Sequence, residues 1–327
     1  SSSFVGSITN VSVKEYLGQE VVPNSGCGSW LFEPQSTNLR ELSNTYVGDA
    51  TIRGTISNDA SAVSPSGLLG VEYLTATGTN GLVLDSSTLT GDGTFSVYLK
   101  RKTGVGDIRM SINGGVSNTT MAVTDAWERF SLSSTTGLGQ LVISCLTSGD
   151  EVYIWGWQEE ALSYPTSLIP TEGSQVTRNQ DVCNNGATGT GLINSTEGVL
   201  YAEIAALADD GISKVISLSN NSTLNVVTIE QYTSTNIIVA RLRSNNVQEA
   251  FLVATNVDKT QYNKIAISYA QNNVNFWVNG LKVGQDTSAA MPIGLSKLSF
   301  NSGNNASPFY GKTKALAVWK EALTDQE

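Results

Sequence analysis

"VYIWGWQEEALSYPTSLIP", residues 152–170, sets three aromatic residues on alternate positions and then runs into two prolines. A period of two marks a strand, because successive side chains leave a pleated backbone on opposite faces. Val152, Ile154 and Gly156 fall on one face, and Tyr153, Trp155 and Trp157 on the other. The two aliphatic residues mark the face that meets a core. The aromatic residues then point to solvent, to a concave groove or to a neighbouring domain. Rings on an open face suit pyranose sugars, whose C–H faces stack on aromatic planes while hydroxyls reach polar groups nearby. The competing reading packs the same rings beneath "ALSYPTSLIP" or against a second domain, since large aromatics are mostly buried.

Working outward, short strand patterns recur between Gly26 and Asp181: "SWLFEP", "GLLGVEYLTA", "GTFSVYLKRK", "GDIRMSIN", "AWERFSLSS" and "GQLVISCLTS". Turn residues separate them at sandwich-like intervals. "PTSLIPTEGSQVTRNQDVCNNGATGTG" (165–191) reads as a crossing between domains. Strands resume at "GVLYAEIAAL" (198–207) and continue through "VNFWVNGLKVGQ" to "TKALAVWKEAL". There Asn279-Gly280 is the strongest hairpin signal, because both residues tolerate φ > 0 in a type I′ turn. No segment carries a sustained 3.6-residue apolar stripe, and strands without intervening helices rule out a parallel α/β fold. The fold class predicted is all-β, with two antiparallel β-sandwich domains in tandem, as the length of 327 residues also suggests.

Composition excludes whole classes of chemistry. The chain has no histidine, which removes Ser-His-Asp and Cys-His catalysis and every zinc site that needs imidazole. Lys+Arg number 19 against Asp+Glu 29, a net charge of −10 with no basic run. Such a chain is a poor partner for nucleic acid or an anionic membrane, because phosphate neutralisation needs clustered cations. No apolar run approaches the roughly 18 residues of a membrane span, so no membrane insertion is expected. Of the cysteines, Cys145 in "LVISCLT" reads as a buried small hydrophobe. Cys27 and Cys183 flank the first full domain, and either bridge it or remain two free thiols.

Two stretches carry a resemblance. "GSWLFEPQSTNL" (28–39) with "VYIWGWQEEALSYPTSLIPTEGSQVTRNQDV" (152–182) resembles a carbohydrate-binding-module-like jelly roll found in phage structural proteins and marine bacterial surface adhesins. Its usual form opens "LLLEPQ-TNL" and closes "YIWGAQLE-GS-PTSYIPT-G-TR-AD". "GVLYAEIAAL", "VNFWVNGLKVG" and "ALAVWKEALTDQE" resemble the laminin-G/concanavalin A-like sandwich. "ITNVSVKEY", whose Val11, Val13 and Tyr16 share a face, is similar to the last strand of another jelly roll. A capping box at Thr324 and Glu327 closes the sequence. Both suggest a segment of a longer protein. The expected organisation is residues 1–22 as the end of a preceding module and linker, 23–182 as the jelly roll, 183–196 as linker and 197–327 as the concanavalin A-like sandwich.

The resemblance implies a segment of a phage fibre or other virion appendage, at the virion surface or outside the cell. Its partners would be host cell-surface polysaccharide and other fibre chains, in a homo-oligomer. Trp157 stands where the module usually has Ala, so it leans towards a sugar contact, while the shared Trp155 leans towards structure. Trp127 sits where the module keeps a core Trp, and Trp319 resembles a core aromatic of the last strand. Tyr153 joins Trp157 on the sugar-facing side. If the polar faces of "FSVYLKRK" and "DIRMSIN" adjoin, Tyr98, Lys100, Arg109 and Asn113 line a groove suited to an acidic glycan; otherwise they are a solvated sheet face. Asp49, Asp181 and Asp209-Asp210-Gly211 are loop carboxylates of the kind that hold structural Ca²⁺, although no D-x-D-x-D-G loop is present and turn chemistry explains most of them.

No catalytic residue is expected. Retaining glycosidases need two carboxylates about 5–5.5 Å apart, which an E-x-D-x-x-E strand supplies. Glu203 stands alone, and Glu151, Glu159 and Glu160 lack that spacing. A lyase using Tyr, Arg and Lys is one alternative; a structural spacer or oligomerising stalk is another.

Overall fold

The computed structural model describes residues 19–21, 28–189 and 191–323. They contain strands, turns and loops, every named strand pairing is antiparallel, and none of them is helical. They divide into two compact units, 33–181 and the described parts of 1–32 taken with 182–323.

In the 33–181 unit two five-stranded sheets face each other. One runs Glu128–Ser134, Gly93–Thr103, Glu151–Glu160, Leu69–Ala76, Gly54–Val63 in spatial order. The other runs Thr119–Met121, Ile108–Ser111, Gln140–Cys145, Gly81–Ser86, Ala50–Ile52. Alternation supplies the core: Leu74, Val97, Leu99, Val152 and Ile154 of the first sheet meet Val83, Ile108, Met110, Leu141 and Ile143 of the second. Cys145 is fully buried among them, and burial pushes its thiol up to about 12.

The opening and closing motifs tie this unit shut. Ser36–Asn38 pairs with Val176–Arg178. Glu33 N donates to Asp181 Oδ2 at 2.8 Å, and Ser167 N to Glu33 Oε1 at 2.6 Å. Arg178 pairs with the Glu33 carboxylate and donates to Pro34 O at 3.1 Å.

The other unit is also a sandwich. Its five-stranded sheet runs Val247–Ala254, Ile238–Ser244, Val226–Gln231, Lys214–Ser219, Lys297–Ser299. Its seven-stranded sheet centres on Glu197–Ala206, between Gly311–Trp319 and Asn263–Ala270, and continues through Asn273–Val278 to Leu281–Asp286. Asn279 and Gly280 take φ 53° and 82°, the left-handed pair the hairpin needs. The far edge of Gly311–Trp319 pairs with both Gln19–Val21 and Trp30–Phe32. Residues expected in a preceding module and in the jelly-roll opening thus complete this sheet, and the units part at Glu33 and Asp181. The strand over Val11, Val13 and Tyr16, Cys27 with any pairing to Cys183, and the capping box at Thr324 and Glu327 lie outside the described residues.

Candidate functional site

A break in the alternation builds the site. Along Glu151–Glu160, Val152 and Ile154 enter the core, while Tyr153 and Trp155 leave it. At Gly156 the backbone turns to φ 73°, and the register with Gly93–Thr103 shifts between Trp155 and Gln158. This is a β-bulge with its glycine in the left-handed region. The extra residue reverses parity, so Trp157 enters the core at 3% exposure. Its ring lies 5.6 Å from that of Phe95 and 5.5 Å from that of Tyr46. The expectation of Trp157 on a sugar-facing surface is therefore corrected: it is a core side chain.

Tyr153 stays outward and organises the exposed face of the first sheet. Across the strands its backbone neighbours are Tyr73 on one side and Lys100 on the other. The Tyr73 ring meets that of Tyr153 edge-on at 5.9 Å, and the Trp127 ring lies at 6.1 Å. Trp127 was expected in the core. Instead it is half-buried just before Glu128–Ser134, on the outward parity, with its indole N–H donated to Val63 O at 2.9 Å. The Tyr153 hydroxyl donates to Asp59 Oδ2 at 2.7 Å. Lys102 Nζ stands 3.7 Å from the Tyr73 ring centre and 2.7 Å from Glu151 Oε2. Further along, Trp155 is 7% exposed and packs on Tyr98 at 5.6 Å, beneath the guanidinium of Arg129. Arg129 spends its fork on Thr166 O and Ser96 Oγ.

The charges on this face are tuned by their neighbours. Hydrogen bonds from the Ser61 and Tyr153 hydroxyls hold the Asp59 carboxyl down at about 2. Burial and the bond to Asp59 push the Tyr153 phenol up to about 12, so it is a protonated donor at neutral pH. The bond to Glu151 raises Lys102, and Lys102 in turn lowers Glu151 against its desolvation. The result is a cluster of rings in which the polar edges of Tyr153 and Trp127 are fixed.

Arg109 and Asn113 do not join it. Ile108–Ser111 follows Gly93–Thr103 in sequence but crosses to the opposite sheet, where it pairs with Gln140–Cys145. Arg109 faces Asp107 at 3.5 Å, and Asn113 Oδ1 closes a turn by accepting from Ser111 Oγ at 2.8 Å and Ser117 N at 2.9 Å. Consecutive strands fall into different layers, so the expected four-residue groove does not form. Tyr98 and Lys100 remain on the Tyr153 face.

Several carboxylates elsewhere are committed to partners. Glu160 accepts from Ser36 Oγ at 2.7 Å and Thr166 N at 3.0 Å. Glu159 takes the Ser87 hydroxyl and lies 3.8 Å from Arg40, which pairs with Asp85. Glu203 is 3.2 Å from Lys314. Of the loop acids, Asp209 meets Lys259 at 2.6 Å, Asp210 meets Lys214 at 2.5 Å, and Asp181 accepts from Glu33 N. Among the described residues no group of three or more His, Cys, Asp or Glu is placed to hold a metal ion. Phe276 is buried and Trp277 half-buried, 5.7 Å from Lys282. Trp319 is half-buried rather than a core residue.

Sequence reasoning missed Tyr73, Lys102 and Asp59. Tyr73 was within reach, since it precedes the core residue Leu74 on a strand and so falls on the opposite face. Asp59 was not, because it sits at a register break between Asp59 and Val63.

No curated protein sequence matches the chain. Among solved structures it is similar to the CBM40 of Ruminococcus gnavus IT-sialidase bound to alpha2,3 sialyllactose, at 15% identity over 41% of this chain and 80% of that one, with a TM-score of 0.36. It is similar to a Bacillus licheniformis beta-glucanase at 15% identity over 48% and 76%, TM-score 0.35. The LG4-5 domains of the mouse laminin alpha1 chain match at 9% identity over 77% and 91%, TM-score 0.32. Residues 203–327 match the family model of the concanavalin A-like lectin/glucanases superfamily, and this part of the chain has that lectin-like sandwich fold.

Proposed function

We propose that the chain is a non-catalytic, glycan-contacting segment of an extracellular appendage, of the phage-fibre or surface-adhesin kind. Its partners in this reading are cell-surface polysaccharide and further copies of itself. The sugar lies on the Tyr73, Tyr153 and Trp127 face of the 33–181 unit. One observation carries this: three half-buried rings from three separate segments converge on one sheet face, with the Tyr153 hydroxyl and the Trp127 indole N–H held by hydrogen bonds. Stacked sugars need such a preformed surface, with little side-chain entropy left to lose on binding. The lectin/glucanase sandwich over residues 203–327 agrees with a carbohydrate setting. A phenol held protonated beside an aspartate is a hydrogen-bond donor and a poor general base, which favours binding over elimination chemistry at Tyr153.

A glycan array probed with the chain and with Trp127→Ala tests this. Wild type should be retained on a subset of bacterial polysaccharides, and Trp127→Ala should fall to background while melting normally. Silence from natively folded wild type would leave a spacer or stalk as the function. Release of new reducing ends or unsaturated products from a retained polysaccharide would make the chain an enzyme.

A further inference from the structure

We propose that the sugar selected by this face carries a carboxylate, and that Lys100 reads it. This rests on the face being a sugar platform. Lys100 is the cross-strand partner of Tyr153 and shares its face. Glu128 pairs with Leu99, which puts Trp127, the residue before it, next to Lys100 on the other side. Half-buried Lys100 therefore occupies the strand position between Tyr153 and Trp127 on this face. A pyranose stacked on either ring directs its equatorial substituents sideways, towards that position.

The neighbouring charges are already satisfied. Lys102 is paired with Glu151, Asp59 accepts from Tyr153 and Ser61, and Arg129 is bound to Thr166 O and Ser96 Oγ. Among the described residues no carboxylate lies within ion-pair distance of Lys100. The chain carries a net charge of −10, so a lysine on this face without an acidic partner among the described residues is a local cation. A neutral sugar uses it only as a hydrogen-bond donor. A uronate or sialate gives it a charge-assisted bond in a partly dehydrated place, where such bonds are strongest. Arg109, the second cation expected beside it, lies in the opposite sheet. Selectivity therefore comes from one contact and should be about tenfold.

Affinity electrophoresis of the full chain in gels containing polygalacturonate or polysialate, each beside its fully methyl-esterified form, tests the assignment and separates the two carboxylate sources. Wild type should be retarded about tenfold more strongly by at least one acidic polymer than by its ester. Lys100→Met should erase that difference, and Trp127→Ala should weaken retardation by both forms. An acid-to-ester ratio unchanged in Lys100→Met overturns the assignment and leaves the platform standing. Absence of retardation by all four polymers overturns it too; the platform then stands if the array retains other sugars, and falls with it if the array is silent.

Discussion

Trp127 and Trp157 are the same residue type, thirty positions apart in sequence and on opposite sides of one sheet, so their losses should differ in kind. Trp157→Ala empties the space between Phe95 and Tyr46 in the core, and truncations of that type cost about 3–5 kcal/mol. Trp127→Ala removes a half-buried ring and one bond to Val63 O, a change of about 1 kcal/mol. Thermal melting should show Trp157→Ala lowered by many degrees and Trp127→Ala by few. If the two variants melt alike, Trp127 supports the fold and cannot be read as a free sugar contact. The sequence misled at this pair for a definite reason. Strand alternation held from Val152 to Trp155 and failed at Gly156, where a bulge exchanged the two faces. An isolated glycine inside a strand is itself the sign of such a bulge; without it, the Ala that the jelly-roll pattern carries at Trp157 made a buried position look like an added surface ring.

At the scale of elements, strands and hairpins were legible because their signals are local. Alternation marked the strands, and Asn279-Gly280 marked a turn that needs two left-handed residues. Layer assignment was not legible, since it depends on which strand crosses over: Gly93–Thr103 and Ile108–Ser111 are sequence neighbours in different sheets. The opening and closing motifs were recognisable as strings, yet their work lies in contacts across more than a hundred residues. Asn38 shows this best. Fully buried, it donates to Trp157 O at 3.0 Å and Ile169 O at 2.9 Å, and accepts from Arg40 N at 3.1 Å and Glu159 N at 3.2 Å. Asn38→Ala strips partners from four backbone groups, and each one left unsatisfied in a buried place costs about 1–3 kcal/mol. Urea unfolding should therefore show a loss of several kcal/mol, larger than a cavity of that size produces. A loss below about 1 kcal/mol would mean that water or the loop after Ile169 replaces those bonds.

For the molecule as a whole, stability should depend on pH through carboxylates raised by burial, not through histidine, of which there is none. Asp85 is held by Arg40, but desolvation outweighs that partner and pushes its pKa from 3.8 up to about 6. Glu72 is raised for the same reason, with the Tyr46 N–H only partly offsetting it. Between pH 4 and 6 the folded chain holds a proton at Asp85 that the unfolded chain has released. Unfolding then releases that proton, so Asp85 makes stability fall as pH rises through this window. Asp59 acts oppositely, but at the acid end: held at about 2, it contributes stability above its ordinary value of 3.8 that is lost on acidification towards 2. The two windows barely overlap, which lets one substitution isolate the first. Asp85→Asn keeps the shape and removes the titration. Its melting temperature relative to wild type should rise from pH 4.5 to about pH 6 and level off above that, with the change confined to the transition of the 33–181 unit. A difference between Asp85→Asn and wild type that stays flat with pH would show that Arg40 keeps Asp85 ionised throughout, and that the buried ion pair rather than its desolvation sets the balance.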